Sequence, residues 1–287
     1  MPFANRFRAV VLSNLILLTA SPVFAHHEAM FGPQSSAVLS PSTFLSAQIF
    51  DRENGQGADR HRETTTVFSG GVRPFKSSPL SLGVVVPITL ATMPGQPSTH
   101  GFEDALVSAR YRANADGFAN AIGLDEGYVM GVAGLEVPTG NMDHAFGHGP
   151  FGQIVAGLVS VEKSPIAAIA YTYYHHTGVF EGDRESGNLF MGGGVAWTPI
   201  DDDAAGKLFS LQLGLSHEQT FAVEEQNMPL ADSGGSGVFL HPSVVWQTNP
   251  RLQFFALVSL PVTQEWRSPS DHQRFRLGAG TILILKH

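Results

Sequence analysis

The stretch Phe209-Ser210-Leu211-Gln212-Leu213-Gly214-Leu215-Ser216 decides the fold. Phe209, Leu211, Leu213 and Leu215 fall on one side of an extended chain, and Ser210, Gln212, Gly214 and Ser216 on the other. Strict alternation at period 2 marks a strand with one apolar face. The same parity recurs downstream. Val238, Leu240, Val244 and Trp246 oppose His241, Ser243 and Gln247, while Leu252, Phe254, Ala256, Val258 and Leu260 share a face. Phe275, Leu277, Ala279, Leu283 and Leu285 alternate with Arg274, Arg276, Gly278 and Gly280. After residue 25, no segment shows a convincing 3.6-residue period.

Broken at Gly, Pro, Asn and Asp clusters, the pattern predicts strands near 39–50, 62–73, 80–91, 102–112, 125–137, 149–162, 166–176, 187–198, 207–218, 236–248, 251–262 and 272–286. Each exceeds the five or six residues typical of soluble strands and is long enough to cross a bilayer at a tilt, which takes roughly 9–11 residues. The connections segregate by side. Those at 74–79, 163–165, 199–206 and 249–250 are short, and those at 51–61, 92–101, 138–148, 177–186, 219–235 and 263–271 are longer, with only 113–124 out of pattern. Short turns on one side and long loops on the other imply an all-β, transmembrane, antiparallel up-and-down β-barrel of about 12 strands. An even count closes such a barrel and leaves no edge in lipid. A secreted soluble β domain, the alternative, has no reason to segregate its loop lengths. Tyr111, Tyr128 and Trp246 fall near strand ends, where an aromatic girdle is expected.

Composition agrees with this reading. The 287 residues include no cysteine, which excludes a disulfide scaffold and thiolate metal or redox chemistry. A balance of 17 Lys+Arg against 25 Asp+Glu disfavours nucleic acid as a partner. The 31 glycines are a surplus over the usual ~7%. Many take inward parity, where they are expected to make room in the lumen. Residues 1–25 read as a cleaved export signal. Arg6 and Arg8 precede an apolar run from Ala9 to Leu18, and Val23 and Ala25 stand at the −3 and −1 positions of the cleavage site. Residues 26–287 are then the barrel, placed in the outer membrane of a Gram-negative bacterium.

Two stretches carry a resemblance to a known family. They are Gly101-Phe102-Glu103-Asp104-Ala105-Leu106-Val107-Ser108-Ala109-Arg110-Tyr111-Arg112 and Gly134-Leu135-Glu136-Val137-Pro138-Thr139-Gly140-Asn141. Together they resemble the outer-membrane proteins associated with meta-cleavage phenol degradation, whose members carry a G-x-x-D strand ending in KYR and an LPTG strand end. The resemblance implies a β-barrel channel for aromatic or other hydrophobic small molecules, with no enzyme activity and no cofactor. Outer-membrane lipid, the small-molecule solute and the barrel-assembly machinery are the implied partners. Such barrels end in an aromatic residue; this chain ends in His287, which has the outward parity of Leu283 and Leu285.

By parity, the lumen-facing polar set comprises Asp104, Arg110 and Arg112 on the fourth strand and Glu136 on the fifth. It continues with Gln212 and Glu218 on the ninth, His241, Ser243 and Gln247 on the tenth, and Arg274 and Arg276 on the last. Charges of both signs in a narrow lumen form a selective constriction or pair across it and stiffen it. Arg110 and Arg112 fall near the inner end, and Arg274 and Arg276 near the outer end. A small anion such as an aromatic carboxylate is thus expected to meet arginine at both mouths.

The histidines define a second reading, a metal-linked channel or receptor. Most of the 12 fall in the longer loops or at outer strand ends, among them His144, His148, His175 and His176. Imidazoles on one rim suit Zn²⁺ or Cu²⁺. Gly147, Gly149 and Pro150 argue against the helix that a His144/His148 pair would need. His26, first after the export signal, offers an imidazole beside a free amino group, a combination that chelates Cu²⁺. A third reading is a non-conducting barrel whose outer loops serve adhesion or assembly. His241-Pro242-Ser243 has the H-x-S spacing of a lipid-facing Ser-His hydrolase, but its parity points into the lumen, away from lipid.

Overall fold

The computed structural model describes residues 43–55, 60–75, 78–93, 95, 97–140, 151–180, 183–184, 187–202, 205–225, 228–231 and 233–286. Residues 1–25, His26, His144, His148 and His287 lie outside this set. Twelve long strands form the wall. They are Thr43–Asn54 (β1), His61–Val72 (β2), Leu80–Thr92 (β3), Ala105–Asn114 (β4), Glu126–Val137 (β5), Gly152–Lys163 (β6), Ile166–His176 (β7), Asn188–Asp202 (β8), Lys207–Thr220 (β9), Gly235–Asn249 (β10), Leu252–Trp266 (β11) and Gln273–Lys286 (β12). Each pairs antiparallel with its neighbours in sequence. β1 closes on β12 with Leu45 opposite Leu283 and Ile49 opposite Ala279. Closure satisfies the backbone groups of both terminal strands, the condition for standing in lipid.

The strand positions follow the alternation closely; β8 and β11 run four residues past their expected ends at 198 and 262, and two further departures are instructive. β1 continues to Asn54, beyond the expected end at residue 50. Its terminal charges, which look like loop chemistry in isolation, all meet partners on neighbouring strands or their ends. Arg62 donates to Asp51 at 2.8 and 2.7 Å, Arg52 pairs with Glu63, and Glu53 accepts from Arg60 and Arg274. The second departure is the long inner connection after β4, which contains a short helix, α1 (Asp116–Ala121). Ala119 of α1 is fully buried, and its Cβ lies 3.1 Å from where a side chain at Gly127 would begin. The outer connections also carry structure. Val179–Phe180, Asp183–Arg184, Glu224–Glu225 and Met228–Pro229 form a small four-stranded sheet linking the loops after β7 and β9.

The two faces of the wall differ as the alternation requires. Leu45, Ile49, Phe68, Leu82, Val107, Val155, Val195, Leu213, Leu260 and Leu277 point outward and are between 42% and 61% exposed. An apolar belt of this extent around a whole barrel suits hydrocarbon rather than water. Tyr111 and Trp246 lie exposed on the same face near the inner strand ends. Tyr128 does not join them. It shares the inward parity of Met130 and is buried in the lumen.

The inward glycines do not leave open space. A Cβ at Gly278 would approach Phe50 to 2.7 Å, and one at Gly280 would approach Phe255 to 2.7 Å. Each missing side chain is thus a berth for a large residue from an adjacent strand.

Candidate functional site

The lumen is built in layers. Near its outer end, charges pair between strands, some of them not adjacent in the wall. Arg276 forms a two-pronged bridge to Glu218, Nη1 to Oε1 at 2.9 Å and Nη2 to Oε2 at 2.6 Å, with its Cζ 4.4 Å above the centre of the Phe239 ring. Arg52 and Glu63 form a second buried pair, and Glu136 Oε2 lies 2.9 Å from His175 Nε2. Thr89 bridges Thr65 and Glu103 through hydroxyl bonds. All of these groups are buried. Burial is tolerated because each charge faces an opposite charge or a hydrogen-bond partner.

Asp104 works differently from a pore-lining charge. Its Oδ1 accepts from the backbone N–H of Gly140 at 2.7 Å, while Thr139 Oγ1 accepts from the N–H of Ala105 at 2.9 Å. The two sequence words that carry the family resemblance therefore clasp each other at the outer rim. Glu136 pairs opposite Leu106, two residues below Asp104, and a Cβ at Gly152 would meet its carboxylate and the His175 ring.

Below this layer the polar groups bond locally. His241 is held on both ring nitrogens, Nε2 to Ser216 Oγ at 2.7 Å and Nδ1 to Ser259 Oγ at 2.8 Å. Ser243 donates to Gln212 Oε1 at 3.1 Å. Gln247, at the inner end, donates to the carbonyl of Gly206 in the β8–β9 turn at 3.0 Å. Between the polar layers lies an apolar waist. Phe50, Val67, Val85, Leu106, Tyr128, Met130, Ile154, Tyr173, Phe190 and Leu257 form one buried cluster, all inward by parity. At its lower border Arg112 lies 4.1 Å over the Tyr128 ring, and Arg110 donates to Ser108 Oγ at 3.1 Å.

Arg110, Arg112, Glu136, Gln212, Glu218, His241, Ser243, Gln247 and Arg276 are therefore on the lumen side. Arg274 is a correction. A register shift in the β1–β12 pairing between Glu53 and Asn54 turns it outward, half-exposed and bonded to Glu53 Oε1 at 2.7 Å. Of the rim histidines offered as metal ligands, His175 and His176 do not share a face. Successive residues of a strand point to opposite faces, so His175 meets Glu136 inside while His176 stacks on Tyr174. Among the described residues, no group of three or more His, Asp or Glu side chains is arranged to hold a metal ion. Parity missed the Arg52–Glu63 pair because β1 was expected to end too early. It missed the waist because apolar inward residues carry no signal in an alternation read for polarity.

No family model matches the chain, and no curated protein matches it. Solved structures do. An outer membrane channel from Pseudomonas putida F1 is similar at a TM-score of 0.66 and 12% identity, over 85% of this chain and 96% of that one. The beta domain of the Bordetella autotransporter BrkA is similar at 0.50 and 12%, over 85% and 100%. LpxR from Salmonella typhimurium is similar at 0.50 and 9%, over 84% and 100%. At such identities the likeness is one of architecture, and the chain has the closed antiparallel fold of the outer-membrane β-barrels.

Proposed function

We propose that the chain is an outer-membrane channel for passive uptake of small hydrophobic or aromatic molecules. One observation carries this reading. Inside a lipid-facing barrel, an aromatic and aliphatic waist (Phe50, Tyr128, Tyr173, Phe190 and Leu257 among others) lies between the outer layer of paired charges and the inner Arg110 and Arg112. A waist of this kind favours solutes with an apolar body and resists hydrated ions. The similarity to a solved outer membrane channel supports the reading, as does the resemblance to the phenol-degradation family. With it go residues 1–25 as a cleaved export signal, and outer-membrane lipid and the barrel-assembly machinery as partners. The function is one of transport rather than catalysis. His241, Ser216 and Ser259, a hydroxyl–imidazole chain along the lumen wall, are each buried to 2% exposure or less, with both imidazole nitrogens already engaged.

The waist is filled by side chains in this conformation, so passage requires them to move or be trimmed. Purified protein in planar bilayers and in swelling liposomes tests this. The Tyr173→Ala, Phe190→Ala double variant is expected to raise conductance and aromatic-solute flux severalfold over the parent. A barrel that stays silent in parent and double variant alike would instead favour an adhesion or assembly role for the outer loops.

A further inference from the structure

The buried cations of this barrel are not alike. Arg276 is neutralised by Glu218 and Arg52 by Glu63. Arg110 is 2% exposed and points into the lumen, yet its one hydrogen bond is the donation from Nη2 to Ser108 Oγ, and no carboxylate lies within ion-pair distance among the described residues. Its Nε and Nη1 atoms are buried with no hydrogen-bond partner. Leaving a guanidinium buried with most of its donors unpaired is unfavourable.

The surroundings are shaped around this group. The guanidinium lies across Gly83, where a Cβ would stand 2.7 Å from its Cζ. Gly83 pairs with Ser108, and the next inward row on the same two strands is Val85 opposite Leu106, both members of the apolar waist. A planar, permanently charged donor group thus sits at the inner foot of an apolar layer, beside one hydroxyl.

We infer that Arg110 is an anion site inside the lumen, which takes the carboxylate of a small amphipathic acid while the waist at Val85 and Leu106 takes its apolar body. The inference rests on the channel reading and sharpens its substrate class to aromatic or aliphatic monocarboxylates. Guanidinium matches a carboxylate by paired, charge-assisted hydrogen bonds. Arg274 and Arg276 do not share the role, since each already bonds a glutamate.

Titration calorimetry of the full-length chain in detergent, with benzoate as the anion and benzyl alcohol as its neutral counterpart, provides the test. Benzoate is expected to bind the parent at least tenfold more tightly than the Arg110→Gln variant, with benzyl alcohol scarcely distinguishing the two. Arg110→Lys is expected to fall between, because it keeps the charge and loses the planar donors. Gly83→Ala, which keeps the arginine but displaces it, is expected to weaken benzoate binding as well. Equal benzoate affinity in parent and Arg110→Gln, or no benzoate binding to the parent, overturns the inference. Bilayer recording separates it from the reading beneath it: intact Arg110-dependent binding in a barrel that passes no solute sinks the channel and leaves the anion site standing.

Discussion

At the scale of single residues, the lumen shows how charge is made tolerable inside a barrel. Glu218 and Arg276 are both about 1–2% exposed and joined by two hydrogen bonds. Removing one member of such a pair leaves the other buried and uncompensated, at a cost of about 3–5 kcal/mol. Glu218→Gln is therefore expected to lower the unfolding free energy in lipid vesicles by an amount in that range, read from urea titration. Removing both charges, as in Glu218→Leu with Arg276→Met, is expected to recover most of the loss. If the double variant is as unstable as the single one, the pair does more than compensate itself. The same logic explains the glycines. Gly278 receives Phe50 and Gly280 receives Phe255, so the composition that first suggests an open lumen instead records how densely it is packed.

At the scale of elements, strand parity carries most of the information, and strand ends carry the rest. Asp104 breaks the line between β4 and its outer continuation Thr99–Phe102, and uses that break to hold the Gly140 amide after β5. Asp104→Ala removes a charge-assisted bond to a backbone donor, worth about 1.5–3 kcal/mol. The expected result is faster hydrogen exchange at the Gly140 amide, with the exchange of β9 and β10 unchanged. A uniform rise across the barrel would mean that Asp104 supports the fold globally rather than one rim. At the opposite end of the wall, Asn249 Oδ1 caps the β10–β11 turn, accepting from the Arg251 and Leu252 amides at 2.9 and 3.1 Å. That bond fits the two-residue connection read from Asn249-Pro250. The longer connection at 113–124 could not be read in this way, because a six-residue helix whose one buried member is Ala119 is too short to show a period.

At the scale of the whole molecule, the deciding property is the inversion of a soluble protein's surface. The apolar belt lies outside and the charge pairs lie within. Leu213 stands at the middle of β9 on the outward face, 48% exposed. Leu213→Arg is expected to destabilise the barrel by about 2–4 kcal/mol in bilayers, the cost of a cation near the midplane. In detergent micelles the penalty is expected to shrink. An equal penalty in both would count against a midplane position. The inner mouth, apolar waist and outer charge layer are likewise a property of the closed barrel, since β1 to β8 and β11 all contribute to the waist.

The alternation at 209–216 and its repeats determined the strand number, the direction of each strand and the face on which nearly every side chain lies. Parity is a local property with a fixed period of two, and it survives without knowledge of neighbours. It also put Arg110, His241 and Glu218 inside. Only the tertiary structure decided which inward charges meet. Glu218 and Arg276 are 58 residues apart in sequence, Glu136 and His175 are 39 apart, and their encounters depend on register and shear around the closed wall. It decided too that Arg274 turns outward, through one register shift, and that Tyr128 lies under Arg112 instead of in the girdle. Parity sorts side chains between lumen and lipid, but the closed barrel alone shows that Arg276 has a glutamate of its own while Arg110, among the described residues, has none.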